Sequence, residues 1–253
     1  GPDSSGDKLL AKLTDLKMNT ATIFRSDQKP TILKSRIVAH QQHIVRVDRE
    51  DDAPISQANQ KRLLDELACR VPDCDGIVLS DYLKGTLTPT FCQTVIEIAK
   101  KYHKLVIVDP KGHDYNKYKG GSVLTPNFSE FKAVAKTHIE SEEDILKEGQ
   151  DLIETLQLEA LVITRSEKGM SIITKEGKKD IATQAKDVFD ITGAGDSVIG
   201  MLTISLASGL PINDACQLAN FAAGNVVAKV GTATTTLEEI KTQITKQQKE
   251  SNV

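Results

Sequence analysis

Asp190-Ile191-Thr192-Gly193-Ala194-Gly195-Asp196 sets two carboxylates around a run of small residues that leads directly into an apolar segment. Phosphoryl transfer needs these parts. Glycines 193 and 195 let backbone N–H groups approach an anion, and a helix beginning near Ala194 turns its positive end toward that anion. Asp196 then stands where an acceptor hydroxyl loses its proton. An ordinary glycine-rich helix start has the same composition, so this turn by itself leaves both readings open.

The elements that must position such a turn are those of a parallel sheet covered by helices. From Ile77 onward, short apolar runs alternate with longer segments of helical period. Strands are expected at Ile77 to Ser80, Leu105 to Val108, Ser122 to Thr125 and Ala160 to Ile163. Met170 to Thr174 and Lys178 to Thr183 read as a hairpin turning at Glu176-Gly177. Helices are expected at Thr88 to Tyr102, Phe128 to Ala135, Glu142 to Leu156, Ala194 to Ser208 (closed by Gly209) and Ile212 to Lys229. Ligands of open α/β sheets bind outside the carboxyl ends of the strands. The polar residues there are Asp81, Tyr82, Lys84 and Gly85, then Asp109 and Lys111, then Asn127 and Glu130, then Thr164, Arg165 and Ser166. Each alone is ordinary loop chemistry, and Asn127 or Asp81 can simply cap a helix; their concurrence is what points to a site.

The N-terminal part has a different texture. Thr20 to Phe24, Thr31 to Ala39 and His43 to Val47 are short β-prone runs with no helix between them until about Ser56, so residues 20 to 48 are expected to form a small antiparallel lid. Lys246 to Val253 is polar and is expected to fray. Lys and Arg total 32 against 35 Asp and Glu, and the net charge of -3 gives no electrostatic case for nucleic acid or an anionic membrane. Cys69, Cys74, Cys92 and Cys216 have no C-x-x-C spacing and read as reduced core thiols, and His40 and His43 flank a Gln-Gln turn without metal-ligand company. With no apolar run long enough for a span and no signal-peptide pattern, the expected location is the cytoplasm.

The Gly193-Ala194-Gly195-Asp196 turn, the Asn127-x-x-Glu130 pair and the Ala219-Asn220-Phe221-Ala222-Ala223 segment leading to Gly231 occur in the order of the ribokinase/PfkB family of sugar kinases, which the chain resembles over nearly its whole length. The resemblance implies an α/β ribokinase-like three-layer sandwich with a mostly parallel sheet and a β lid, one domain over residues 1 to 253. Ser80 to Gly85, Asp109-Pro110-Lys111-Gly112, Leu124 to Phe131 and Thr164-Arg165-Ser166-Glu167-Lys168-Gly169-Met170 are similar to the members that phosphorylate D-glycero-β-D-manno-heptose 7-phosphate at its anomeric oxygen. It further implies Asp196 as base, with Gly193, Ala194 and Gly195 holding the transferred phosphoryl charge. Asn127 and Glu130 would organise Mg²⁺ through water, and Thr164, Ser166, Gly169 and Asn220 would hold ATP. Asp190, Thr192, Lys229, Gly231 and Thr235 match loops that coordinate a monovalent cation such as K⁺ in some relatives.

A phosphorylated acceptor calls for a cation at its far end, for which Lys84, Lys111 and Arg46 are candidates, beside Asp81. The partners implied are the sugar phosphate and ATP, with a homodimer formed through the lid. Gly1-Pro2-Asp3-Ser4-Ser5-Gly6 resembles a segment internal to the family, so the chain is expected to lack the first β-α-β unit, with its sugar-contacting aspartate, and to be a stand-alone kinase or a kinase fragment. Two other readings stay open: a ribokinase-like kinase for another sugar or nucleoside, and a non-catalytic nucleotide-binding fragment.

Overall fold

The computed structural model describes residues 1–39, 42–184 and 188–251; His40 lies outside them. Along the chain run α1 (Ser4–Asp15), β1 (Leu33–Ala39), β2 (Gln42–Arg49), α2 (Gln57–Arg70), β3 (Gly76–Ser80), α3 (Pro89–Lys101), β4 (Leu105–Asp109), β5 (Val123–Leu124), α4 (Phe128–Val134) and α5 (Glu142–Leu156). They continue with β6 (Ala160–Thr164), β7 (Met170–Thr174), β8 (Gly177–Ile181), α6 (Ala194–Ala207), α7 (Ile212–Val227) and α8 (Leu237–Ser251).

Strands β3 to β8 form one sheet in sequence order, parallel from β3 to β6 and antiparallel through β7 and β8. Side-chain alternation divides its apolar residues between two cores. Leu79, Val106, Val108, Leu124, Leu161 and Ile163 join Phe91 and Val95 of α3, Phe131 of α4 and Ile145 and Ile153 of α5. Ile107, Val123, Val162 and Ile172 face the other way, against Val198 and Leu202 of α6 and Ala215 and Ala219 of α7. Right-handed crossovers that always advance the sheet in one direction place their helices on one side, so the opposite face is left for α6 and α7. The result is the expected three layers, with α8 packed outside α7 through Ile240. The α3 and α5 helices start where Thr88 and Ser141 side chains accept N–H groups of their first turns.

Several expectations shift. Residues Ser4–Asp15 form a helix that sequence patterning missed; Asp3 caps it by accepting the Gly6 N–H, and its Leu9 is 50% exposed. Thr20 to Phe24 is a turn instead of a strand, because the Asn19 side chain takes the Ala21 N–H and the Thr20 carbonyl takes that of Ile23. The β7–β8 hairpin turns one residue early, at Lys175-Glu176, since Thr174 pairs with Gly177. Cys92 and Cys216 are buried as expected, whereas Cys69 is exposed and Cys74 half-buried; all are free thiols. Helix α8 runs to Ser251, into the segment expected to fray, whose last two residues lie outside the described ones.

The ribbon β1–β2 stands apart from the main sheet. Its register puts Leu33, Ile37, Val45 and Val47 on one face and Lys34, Arg36, Arg46 and Asp48 on the other. Strand β3 is an edge of the main sheet, and its Val78 is 40% exposed.

Candidate functional site

The carboxyl ends of β3 to β6 and the start of α6 surround a cavity of about 150 Å³. Gly193 caps α6 with φ 86, a left-handed conformation that suits glycine, and the place where a Gly195 side chain would stand is open. Gly195 in the first turn of α6 therefore borders free space, with Val198 in the same wall, while the Ala194 N–H donates to the Ile191 carbonyl at 3.2 Å. Asp196 is exposed beside them and accepts a hydrogen bond from the Tyr82 hydroxyl at 2.8 Å. Partial burial, then the Asp196 carboxylate, push the Tyr82 phenol up to about 12.

Across the cavity, Asn127 and Glu130 form the capping box of α4: Asn127 Oδ1 accepts the Glu130 N–H and Glu130 Oε2 accepts the Asn127 N–H, both at 2.9 Å. Thr164 is fixed next to them, because its N–H donates to the Pro126 carbonyl at 3.0 Å. Glu130 Oε1 also pairs with the Lys111 ammonium. Asp109, at the end of β4, borders the same space; burial, then the charges of Glu130 and Asp196, raise its carboxyl to about 6. Among the described residues no three His, Cys, Asp or Glu side chains converge to hold a metal by themselves. Two carboxylates that repel each other on one wall fit a divalent ion carried mainly by water and phosphate oxygens.

The cavity also brings in Asp81, but as an anchor. It is 4% exposed, and its oxygens accept from Leu83 N–H at 2.7 Å, the Tyr118 hydroxyl at 2.6 Å and the Lys117 ammonium at 2.5 Å. Gly169 and Asn220 meet elsewhere, around the end of β8, and the Gly169 N–H donates to the Ser166 carbonyl at 2.9 Å. A Cβ on Gly169 would lie 2.0 Å from the Ile181 carbonyl, and Asn220 Nδ2 donates to the Ala182 carbonyl at 2.7 Å. Behind the α6 turn, the Thr192 hydroxyl, then the N–H groups of Thr192 and Gly231, donate to Asp190 and hold its carboxyl below the usual range. Thr235 accepts from Asn225, while the Lys229 ammonium binds the Thr234 carbonyl at 2.8 Å and Glu239 at 2.7 Å.

Lys84 and Arg46 do not line the cavity. Lys84 pairs with Glu50 at 2.7 Å, tying the loop after β3 to the end of the ribbon, and Arg46 pairs with Asp48 within the ribbon. Tyr82, Asp109, Lys117 and Thr125 received no role from sequence. The first two were visible as polar residues after strands, but nothing in sequence shows a contact across 114 residues.

Residues 1–240 match the family model described as pfkB family carbohydrate kinase. The bifunctional protein HldE of Wolinella succinogenes is 43% identical over 240 residues, covering 95% of this chain and 50% of that protein. HldE of Geobacter sulfurreducens is 44% identical over 241 residues, covering 95% and 49%. The chain thus spans about half the length of the curated relatives it matches. Among solved structures, phosphofructokinase-2 from Escherichia coli in complex with potassium superposes with a TM-score of 0.82 at 18% identity, over 95% of this chain and 78% of that one. Ribokinase from Thermotoga maritima gives 0.78 at 22%, over 97% and 79%. At these identities the two structures speak to the fold.

Proposed function

We infer the function from membership: this chain belongs to the pfkB family of carbohydrate kinases. The reaction we assign to it is transfer of the γ-phosphoryl group of ATP to the anomeric hydroxyl of D-glycero-β-D-manno-heptose 7-phosphate, giving the 1,7-bisphosphate and ADP. The observation that carries the assignment is the placement of Asp196 on the first turn of α6, next to Gly195 and bonded to Tyr82, both of which line one cavity with Asn127, Glu130 and Thr164. The HldE likeness at 43% supports the heptose acceptor.

In this reading the acceptor hydroxyl gives its proton to Asp196 as its oxygen bonds to phosphorus and ADP departs. The N–H groups of Gly193, Ala194 and Gly195 meet the charge on the phosphoryl oxygens, that of Ala194 by leaving the Ile191 carbonyl it binds at 3.2 Å. Glu130, Asn127 and Asp109 would hold Mg²⁺ through its waters, and the ion would neutralise charge on the phosphates. Ser166, Gly169 and Asn220 form the nucleotide end, supported by the meeting of Gly169 and Asn220 at the end of β8 and the bond from the Gly169 N–H to the Ser166 carbonyl. Asp190, Thr192, Lys229, Gly231 and Thr235 frame a K⁺ site, supported by the Asp190 contacts that join the two loops. Lys111, although paired with Glu130, lines the cavity and is the cation we assign to the distal phosphate; Lys84 is outside the lining and paired with Glu50. A homodimer through the apolar face of the ribbon and a place in the cytoplasm, where ATP is available, complete the reading.

The test is ADP release with saturating ATP and Mg²⁺ against heptose 7-phosphate, unphosphorylated heptose, ribose and fructose 6-phosphate. The highest kcat/KM is expected for heptose 7-phosphate. A higher value for any of the others overturns the acceptor assignment.

A further inference from the structure

The geometry points to Tyr82 as the residue that positions the Asp196 carboxylate for proton abstraction, an assignment that rests on Asp196 being the base. Tyr82, in the cavity wall, follows the edge strand β3, and Asp196 stands beside the lining residue Gly195 in the first turn of α6, so their hydrogen bond of 2.8 Å ties two separate elements at the cavity's border. The tyrosine starts from a fixed point. Its neighbour Asp81 is buried and bound to Tyr118 and Lys117, and the Asp81 N–H donates to the Asp109 carbonyl at 3.0 Å. The side chain itself is 56% exposed, so packing alone does not direct the ring. What directs it is a charge-assisted O–H to carboxylate bond, about twice as strong as a neutral one, with the Ser80 side chain as a second hydrogen-bond partner of the phenol.

An exposed aspartate on a helix's first turn has several staggered rotamers open to it. Engaging Oδ1 selects one of them and leaves Oδ2 for the acceptor hydroxyl. The phenol gives up nothing in the reaction: pushed up to about 12 by burial and by Asp196, it keeps its proton and stays a donor. The proton that moves is the acceptor's, to Oδ2, while the acceptor oxygen bonds to phosphorus and ADP leaves.

The chain has no tryptophan and four tyrosines, so its intrinsic emission reports tyrosine, and a hydrogen-bonded carboxylate quenches a phenol. Asp196→Asn should raise that emission in the chain with Tyr82 and leave it unchanged in Tyr82→Phe; no rise, or a rise in both, overturns the contact. In turnover, Tyr82→Phe should lower kcat about tenfold, as misorientation of a reacting group does, with the KM for ATP within about twofold and an unchanged melting temperature. Added to Asp196→Asn, it should change the residual kcat no further. An unchanged kcat in Tyr82→Phe, or the same loss in both backgrounds, overturns the positioning role. Wild-type turnover in Asp196→Asn would instead overturn Asp196 as the base, an outcome separable from both.

Discussion

Asp81 follows β3 and Asp109 ends its parallel neighbour β4, yet their environments demand opposite consequences of mutation. Asp81 is paired inside the protein, with a lysine whose side chain is 11% exposed. Removing one partner of such a pair strands a buried charge, so Asp81→Ala should destabilise the protein by about 3 kcal/mol in urea unfolding. A change below about 1 kcal/mol would free Asp81 for a direct role toward substrate. Asp109 is the reverse. Its carboxyl is raised to about 6, first by burial and then by Glu130 and Asp196, so the folded state binds its proton more tightly than the unfolded chain does. Stability from this group is present at acid pH and is lost as pH rises from about 4 through about 6. Asp109→Asn should therefore raise the melting temperature at pH 7.5, and the gain should vanish near pH 4. If Asp109 shares the Mg²⁺ shell, the same variant needs more Mg²⁺ for half-maximal rate; a rate defect that excess Mg²⁺ cannot change counts against that role.

At the scale of elements, the start of α6 depends on one backbone conformation. Gly193 has φ 86, and the nearest atom to an added Cβ is Thr232 Cγ2 at 3.7 Å, so a side chain there meets strain and no clash. Gly193→Ala should cost about 1 kcal/mol of stability, the usual left-handed penalty. Turnover should fall further than stability, because the first-turn N–H groups move with the cap. Gly169→Ala differs in kind: its Cβ meets the Ile181 carbonyl at 2.0 Å in addition to φ 80, so denaturation should show a larger loss than at Gly193. Equal losses at the two sites would mean that the turn at Gly169 relaxes freely.

On the scale of the whole molecule, the ribbon leaves Leu33, Ile37, Val45 and Val47 between 44% and 55% exposed on one face. A face of this kind on an otherwise charged ribbon is expected to pair with a second copy. Sedimentation should show a dimer that Ile37→Asp with Val45→Asp dissociates; a wild-type monomer at tens of micromolar sinks the lid-mediated dimer. No described helix is long and apolar enough to cross a membrane.

Much of this was determined by local sequence. The alternation of apolar runs fixes where β4, β6 and α5 lie, since a short apolar run bounded by polar turns and a longer amphipathic segment differ in length and period. The glycine turn before α6 and the Asn127-x-x-Glu130 box were legible for the same reason, because caps and turns are built from residues a few positions apart. The Asn19 side chain overrode the β-prone residues at 20 to 24, and α1 escaped notice because its cap and apolar spacing lie in a short, polar segment. What only the tertiary structure decided is which polar residues meet. Tyr82 reaches Asp196, Lys84 turns to Glu50 and Asp81 is taken by Lys117 and Tyr118 through contacts spanning 34 to 114 residues, and side-chain partners at that distance are chosen by the packing of whole elements.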